Sequence, residues 1–171
     1  LFAGKAPVVQ PHKAGGRTFY RLRVAGFESR DDARRFCAAL LAEFKPRVVS
    51  FHFGLPAPDL LAQVKSWGSK VLASATTVRE ALWLEEHGAD AVIAQGLEAG
   101  GHRGNFLSMD ISEQMGTFAL LPQIAATVRV PVIAAGGIAD AAGVRAAMAR
   151  MRSNCAASGP GATISRGRTE R

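Results

Sequence analysis

Four short apolar runs constrain the fold of this chain more than any other feature. RVVSFHF (47–53), KVLASA (70–75), DAVIAQ (90–95) and VPVIAAGG (130–137) have the continuous apolar character of buried strands. Amphipathic stretches with helix punctuation separate and follow them. PAPDLLAQVKSWG (56–68) carries Pro near its start and Gly at its end, and TTVREALWLEEHG (76–88) opens on a Thr cap and closes on Gly. TFALLPQIAATV (117–128) and DAAGVRAAMAR (140–150) complete the helical set. Strand starts recur about every twenty residues. The exception is one longer interval that holds the loop GLEAGGHRG (96–104). Continuous apolar strands alternating with helices pair in parallel, covered on at least one face. The expected fold class is α/β, as a barrel or a doubly wound sheet.

Glycine placement chooses between the two. A dinucleotide-binding sheet would carry G-x-G-x-x-G after its first strand, and the sequence has none there. Instead, polar and glycine residues follow the ends of several strands: His52 and Gly54, Ser74 and Thr76, Gln95 to Gly104, then Gly136 and Gly137. Barrels build their sites at those strand ends, and late loops commonly hold phosphate. Glycines let backbone N–H groups approach a phosphate, and the following helix offers its positive N-terminus. Four β/α units make half of an eight-stranded barrel, so the expectation is a partial (β/α)8 TIM barrel. Such a half leaves two unpaired edges, which implies a fragment or a homo-oligomer.

Charge narrows the partners. The chain of 171 residues carries a net +7, yet its basic residues concentrate in the first fifty and last thirty positions, while the strand-bearing middle is net acidic. A groove for a phosphate backbone would run through the folded core as well, so nucleic acid is not an expected partner. No run approaches the ~20 apolar residues of a membrane span. The two cysteines, Cys37 and Cys155, fit no metal-ligand spacing, and a reduced cytoplasmic protein is the expectation. No metal site is expected. Leu1, where a start Met would stand, reads as a fragment edge.

Two histidines near strand ends, His52 and His102, carry the catalytic expectation. An imidazole is the side chain whose ordinary pKa lies near neutrality, which suits proton transfer at a substrate carbon. Glu98 is either an orienting partner for His102 or a solvated loop carboxylate. Arg103 either neutralises an anionic ligand or is a surface cation. His12 and His87 read as surface residues, and Leu82, Trp83 and Leu84 as packing.

From about Phe44 to Met148 the chain resembles the central and late part of the nitronate monooxygenases, the flavoproteins also called 2-nitropropane dioxygenases. The resemblance lies in KPRVVSFHFGLP, SATTVREALWLEEHGADAVIAQGLEAGGHRG and FALLPQIAATVRVPVIAAGGIAD. It implies an FMN-binding TIM barrel that oxidises alkyl nitronates with O2 to carbonyl compounds and nitrite. It also implies roles: His102 as the active-site histidine, His52 as a second histidine of the pocket, and Gln95, Gly100 and Gly101 beside the flavin. Gly136 and Gly137 match the loop that receives the FMN phosphate. Flavin-dependent enoyl-ACP reductases share a similar EAGGH loop but resemble this chain less, carrying Glu at the position of Gln95. An inactive fragment is the remaining alternative.

The two ends differ in texture from this middle. GGRTFYRLRVAGFESRDDARRFCAALLAE (15–43) resembles the second half of a sporulation-related repeat (SPOR) module, an αβ unit that binds peptidoglycan glycans. It reads as a strand in TFYRLRVAGF and a helix capped by Ser29, and it implies a chimera joined near Glu43–Phe44. Half of such a module is not expected to bind peptidoglycan. The family's first flavin-contacting strands have no counterpart here. Residues 151–171, polar and Arg-rich, read as a disordered or non-homologous tail. The expected domains are therefore 1–43, 44–150 and 151–171.

Overall fold

The computed structural model describes residues 4–14 and 16–155. The expected tail lies outside the described residues from position 156 onward. Its first residues, Met151–Cys155, instead continue the last helix.

Two compact units divide at Pro46–Arg47. In the first, strands β1 (Ala6–Ala14) and β2 (Arg17–Ala25) form an antiparallel hairpin, followed by helix α1 (Arg30–Phe44). Strand β2 and α1 match the expectation; β1 was not anticipated. Its prolines, Pro7 and Pro11, ordinarily argue against a strand. They share parity, so both ring nitrogens lie along the same edge of β1, and a two-stranded ribbon leaves each strand one free edge. Ser29 caps α1 as its sequence position predicts, accepting from Asp32 N at 3.1 Å. Asp32 answers by accepting from Glu28 N and pairing with Lys5, and the Lys5 hydrogen bond holds its carboxyl below the usual carboxylate range.

The second unit is the expected β/α series. Strands β3 (Val48–Phe51), β4 (Lys70–Ala75), β5 (Ala91–Gln95) and β6 (Val132–Ala135) form one sheet in sequence order, every pair parallel. Helices α2 (Pro58–Ser66), α3 (Val78–Glu86), α4 (Thr117–Thr127) and α5 (Ala141–Cys155) alternate with them. Because strand side chains alternate, Ala73, Ala75, Val92 and Ala94 share one face of the sheet. They join Leu84, Leu120, Leu121 and Ile124 of α3 and α4 in the buried core. Small alanines on the strands let these helices seat closely. Burying each of those large side chains stabilises the fold by about 1.5–3 kcal/mol. Leu72, Ser74, Ile93 and Gln95 occupy the opposite face by the same alternation.

Of the expected packing residues, Leu84 is fully buried, Trp83 is half-buried and Leu82 is exposed. His87 is exposed, as expected, and its ring stacks on Trp83 with centroids 3.9 Å apart. No helix among the described residues is long and apolar enough to cross a membrane.

Candidate functional site

Parallel pairing brings the C-terminal ends of all four strands to one rim, and a cavity of about 550 Å³ opens there. That volume falls within the ~300–1,000 Å³ of small-molecule sites. His52, just past β3, and Ser74 of β4 form one side, and Ile93 and Gln95 of β5 the middle. Glu98, Ala99 and Gly100 of the following loop, with Ala134 to Ile138 from β6 onward, close the rest. Of the residues anticipated for the site, His52, Gln95, Gly100, Gly136 and Gly137 line this cavity, whereas Gly101 and His102 do not. His102 is exposed beside it, its ring centroid 6.4 Å from that of Phe53 in an edge-on arrangement. The Phe53 ring also lies 6.3 Å from His52, so one aromatic ring neighbours both imidazoles.

Phe53 was not anticipated. It combines a φ of 62° with 57% exposure. A bulky residue in the left-handed region is strained, and such strain concentrates at functional sites. Gly54 continues the turn at φ 86°, and its missing side chain leaves room for the Phe106 ring.

Gln95 shapes the loop that carries His102. The side chain is buried, its Nε2 donates to His102 O at 2.9 Å, and its Oε1 accepts from Gly104 N at 2.7 Å. One amide thus clamps both sides of the turn. Arg103 completes the clasp, donating from Nη1 to Gly96 O at 2.7 Å and from Nη2 to Ala99 O. It is a backbone brace, neither a neutraliser of an anionic ligand nor a free surface cation. Glu98 does not orient His102 either. Its Oε2 accepts from Thr117 N at 2.8 Å and from Thr117 Oγ1 at 2.9 Å. The N-cap of α4, Gly116, has no side chain of its own, so Glu98 caps that helix from across the rim. Hydrogen bonds from the Thr117 amide, Glu98's own amide and the Thr117 hydroxyl hold its carboxyl below the usual value.

Glu80 escaped sequence reasoning altogether. It is 1% exposed, and its Oε2 accepts from Thr76 N and Thr76 Oγ1, both at 2.7 Å. Its Oε1 accepts from Phe106 N at 2.6 Å and Leu107 N at 3.2 Å, tying the far end of the histidine loop to the end of β4. A signal was available: Thr77-x-x-Glu80 has capping-box spacing. Thr77 Oγ1 does accept from Glu80 N at 3.2 Å, but the carboxylate reaches past the cap to Thr76. No group of three or more His, Cys, Asp or Glu side chains among the described residues could hold a metal ion.

A parallel β/α sheet of consecutive strands with a glycine-lined cavity at its strand ends has the layout of a partial TIM barrel. Within that class the nitronate monooxygenase family model matches residues 19–155, and the chain belongs to that family. It is 53% identical over 111 residues to a nitronate monooxygenase of Paraburkholderia phytofirmans, covering 65% of this chain and 30% of that protein. A nitronate monooxygenase of Pseudomonas aeruginosa is 50% identical over 109 residues, 64% of this chain and 31% of the relative. Among solved structures, nitroalkane oxidase from Streptomyces ansochromogenes superposes with a TM-score of 0.65 at 43% identity. The superposition covers 71% of this chain and 36% of that one. The chain therefore spans about a third of the length of the relatives it matches. The family match begins inside β2 and runs through α1, and none of these comparisons supports the SPOR resemblance or a chimeric join near Glu43–Phe44.

Proposed function

We propose that this chain contributes the strand-end rim of an FMN-dependent nitronate monooxygenase site, acting on small alkyl nitronates with O2 to give carbonyl compound and nitrite. The observation that carries the reading is the cavity itself, with His52 in its wall and the Gln95-clamped loop delivering His102 beside it. The lining fits a flat, largely apolar ring system with a polar edge. Ile93, Ala134, Ala135 and Ile138 supply apolar walls, and Gly100 leaves open space where any other residue would project a side chain. Gln95 and Gly100 would lie against the flavin ring, with Gly101 at the turn, and Gly136 and Gly137 toward its phosphate. FMN, when bound, supplies the electron-accepting chemistry and passes electrons on to O2.

The protein's own residues handle orientation and protons. Gln95 and Arg103 fix the loop backbone, so the His102 imidazole starts from a rigid base. With a neutral nitroalkane, His102 would take the proton from the carbon bearing the nitro group; with a preformed nitronate, it would orient the anion. His52 approaches from the β3 side and bounds the same substrate position. An enoyl-ACP reductase reading fits less well, because the bond from Gln95 Nε2 to His102 O requires an amide. A glutamate there has no N–H to give.

The test combines a spectrum with one variant. Purified chain given FMN should show a protein-bound flavin absorbance and consume O2 with a primary nitronate, without oxidising NAD(P)H against an enoyl thioester. His102→Asn should retain flavin and lose about 10²–10⁴-fold in turnover, more with the neutral nitroalkane than with the ionised nitronate. An equal, small loss on both substrates would remove His102 from the chemistry.

A further inference from the structure

The rim holds three hydroxyls that are buried to 1% exposure or less: Ser74, Thr76 and Thr117. Two of them have carboxylate partners, Thr76 on Glu80 and Thr117 on Glu98. Ser74 Oγ, at 0% exposure, has no hydrogen-bond partner among the described residues, and Ser74 lines the cavity. A buried hydroxyl without a partner is destabilising, so its presence needs a reason. Its neighbours sharpen the point. Ser74 stands on a central strand, on the same face as Ile93 and Gln95. A side chain at Gly104 would put its Cβ 3.0 Å from Ser74 Cβ, 3.0 Å from Gln95 Oε1 and 3.4 Å from His52 Nδ1. Gly104 has no positive φ to explain its identity; its bare Cα is what lets these three polar side chains, from three successive strand ends, crowd around one point.

We propose that Ser74 is a ligand-contacting residue whose hydroxyl donates a hydrogen bond to an electron-rich oxygen of the bound molecule. The oxygen is either a ring carbonyl of the flavin or the nitro-group oxygen of the nitronate. The proposal rests on reading the cavity as a flavin and nitronate site. It requires the hydroxyl to be a liability in the free chain and an asset in the complex. Ser74→Ala should therefore have opposite effects in two measurements. The urea midpoint of the FMN-free chain should stay level or rise, because an unpartnered polar group is removed. Binding should weaken in one of two ways. If the acceptor is the flavin, FMN affinity, read from quenching of flavin fluorescence, falls about 3- to 10-fold. If it is the nitronate, FMN affinity holds and KM for a primary nitronate rises about tenfold or more, as for a hydrogen bond to a charged group. A lowered urea midpoint with unchanged FMN affinity and KM would assign the hydroxyl a structural partner and overturn the proposal, as would no change in any readout. Failure of the wild-type chain to bind FMN refutes the flavin reading itself. A wild type that binds FMN beside an indistinguishable variant refutes only the role of Ser74.

Discussion

Glu80 is the sharpest single point on which to perturb the site from beneath. Its carboxylate serves four donors: Thr76 N and Oγ1 on the buried side, Phe106 N and Leu107 N on the loop side. Glu80→Ala strips all four and leaves a void. The fully buried Thr76 amide then loses its acceptor at a cost of about 1–3 kcal/mol, and each wetter loop amide forfeits about 0.5–1.5 kcal/mol. Allowing for partial rescue by water, the variant should lose about 3–5 kcal/mol of stability. Glu80→Gln keeps the volume and one carbonyl oxygen. That oxygen is best spent on Thr76, which turns the new NH2 group toward the Phe106 and Leu107 amides. Donor then faces donor, but at positions water reaches, so the expected loss is about 1–2 kcal/mol. Urea unfolding followed by tryptophan fluorescence measures the totals, and Trp83 reports locally because its ring meets Phe106 at 5.2 Å. Amide exchange at Phe106 and Leu107 should accelerate selectively in Glu80→Gln. Equal losses in the two variants, or unchanged exchange at 106 and 107 in Glu80→Gln, would refute the assignment of the two oxygens.

The Glu98 cap predicts an acid transition. Its carboxyl is held below its ordinary value near 4.5 by the Thr117 amide, so the stabilisation is complete above that pH and is lost as pH falls through the lowered folded value. The Thr117 amide resonance should titrate in that window and cease to do so in Glu98→Gln; a pH-independent resonance in the wild type would contradict the cap. Gly100→Ala should leave the FMN-free chain's stability within about 0.5 kcal/mol and weaken FMN binding, whereas Gly101→Ala, at φ +84°, should cost about 1–2 kcal/mol without any ligand. Matching stability losses from the two substitutions would show that the open space at Gly100 is not a ligand's space.

The sheet was legible because its signals are local. Val71 to Ala75 and Ala91 to Gln95 are apolar enough to be read as buried strands without knowing what covers them. Ser29 and Thr77 announce their helices by position alone. Strand β1 was hidden because Pro7 and Pro11 ordinarily argue against a strand, and only its pairing in a two-stranded ribbon shows that β1 keeps a free edge. The supporting contacts of the site were hidden for a different reason: their partners are set by the register of distant segments. Glu80 meets Phe106 across 26 positions, and Glu98 meets Thr117 across 19. Arg103 bonds backbone carbonyls, which no side-chain pattern announces. A carboxylate and a guanidinium in a glycine loop read in sequence as site groups or as solvated charges, and in the fold one caps α4 while the other braces the loop backbone.

The same contacts change what the glycines mean. Gly136 and Gly137 look in sequence like a phosphate cradle, yet each already has an internal reason to be glycine. A Cβ on Gly136 would lie 2.7 Å from Ala99 N and 2.8 Å from Thr117 Oγ1, and one on Gly137 would lie 3.1 Å from Glu98 Cβ. Both also adopt positive φ. Gly96 and Gly116 are confined in the same way, against Thr117 and the Glu98 carboxylate. These four glycines let the end of β6, the histidine loop and the start of α4 converge on Thr117, and they would be required with no ligand present. Gly100 alone among the glycines of the histidine loop has neither a positive φ nor a neighbour within 4 Å. Packing among the described residues therefore gives Gly136 and Gly137 a reason to be glycine and gives Gly100 none, so Gly100→Ala is the substitution that tests the proposed ligand contact without disturbing the loop.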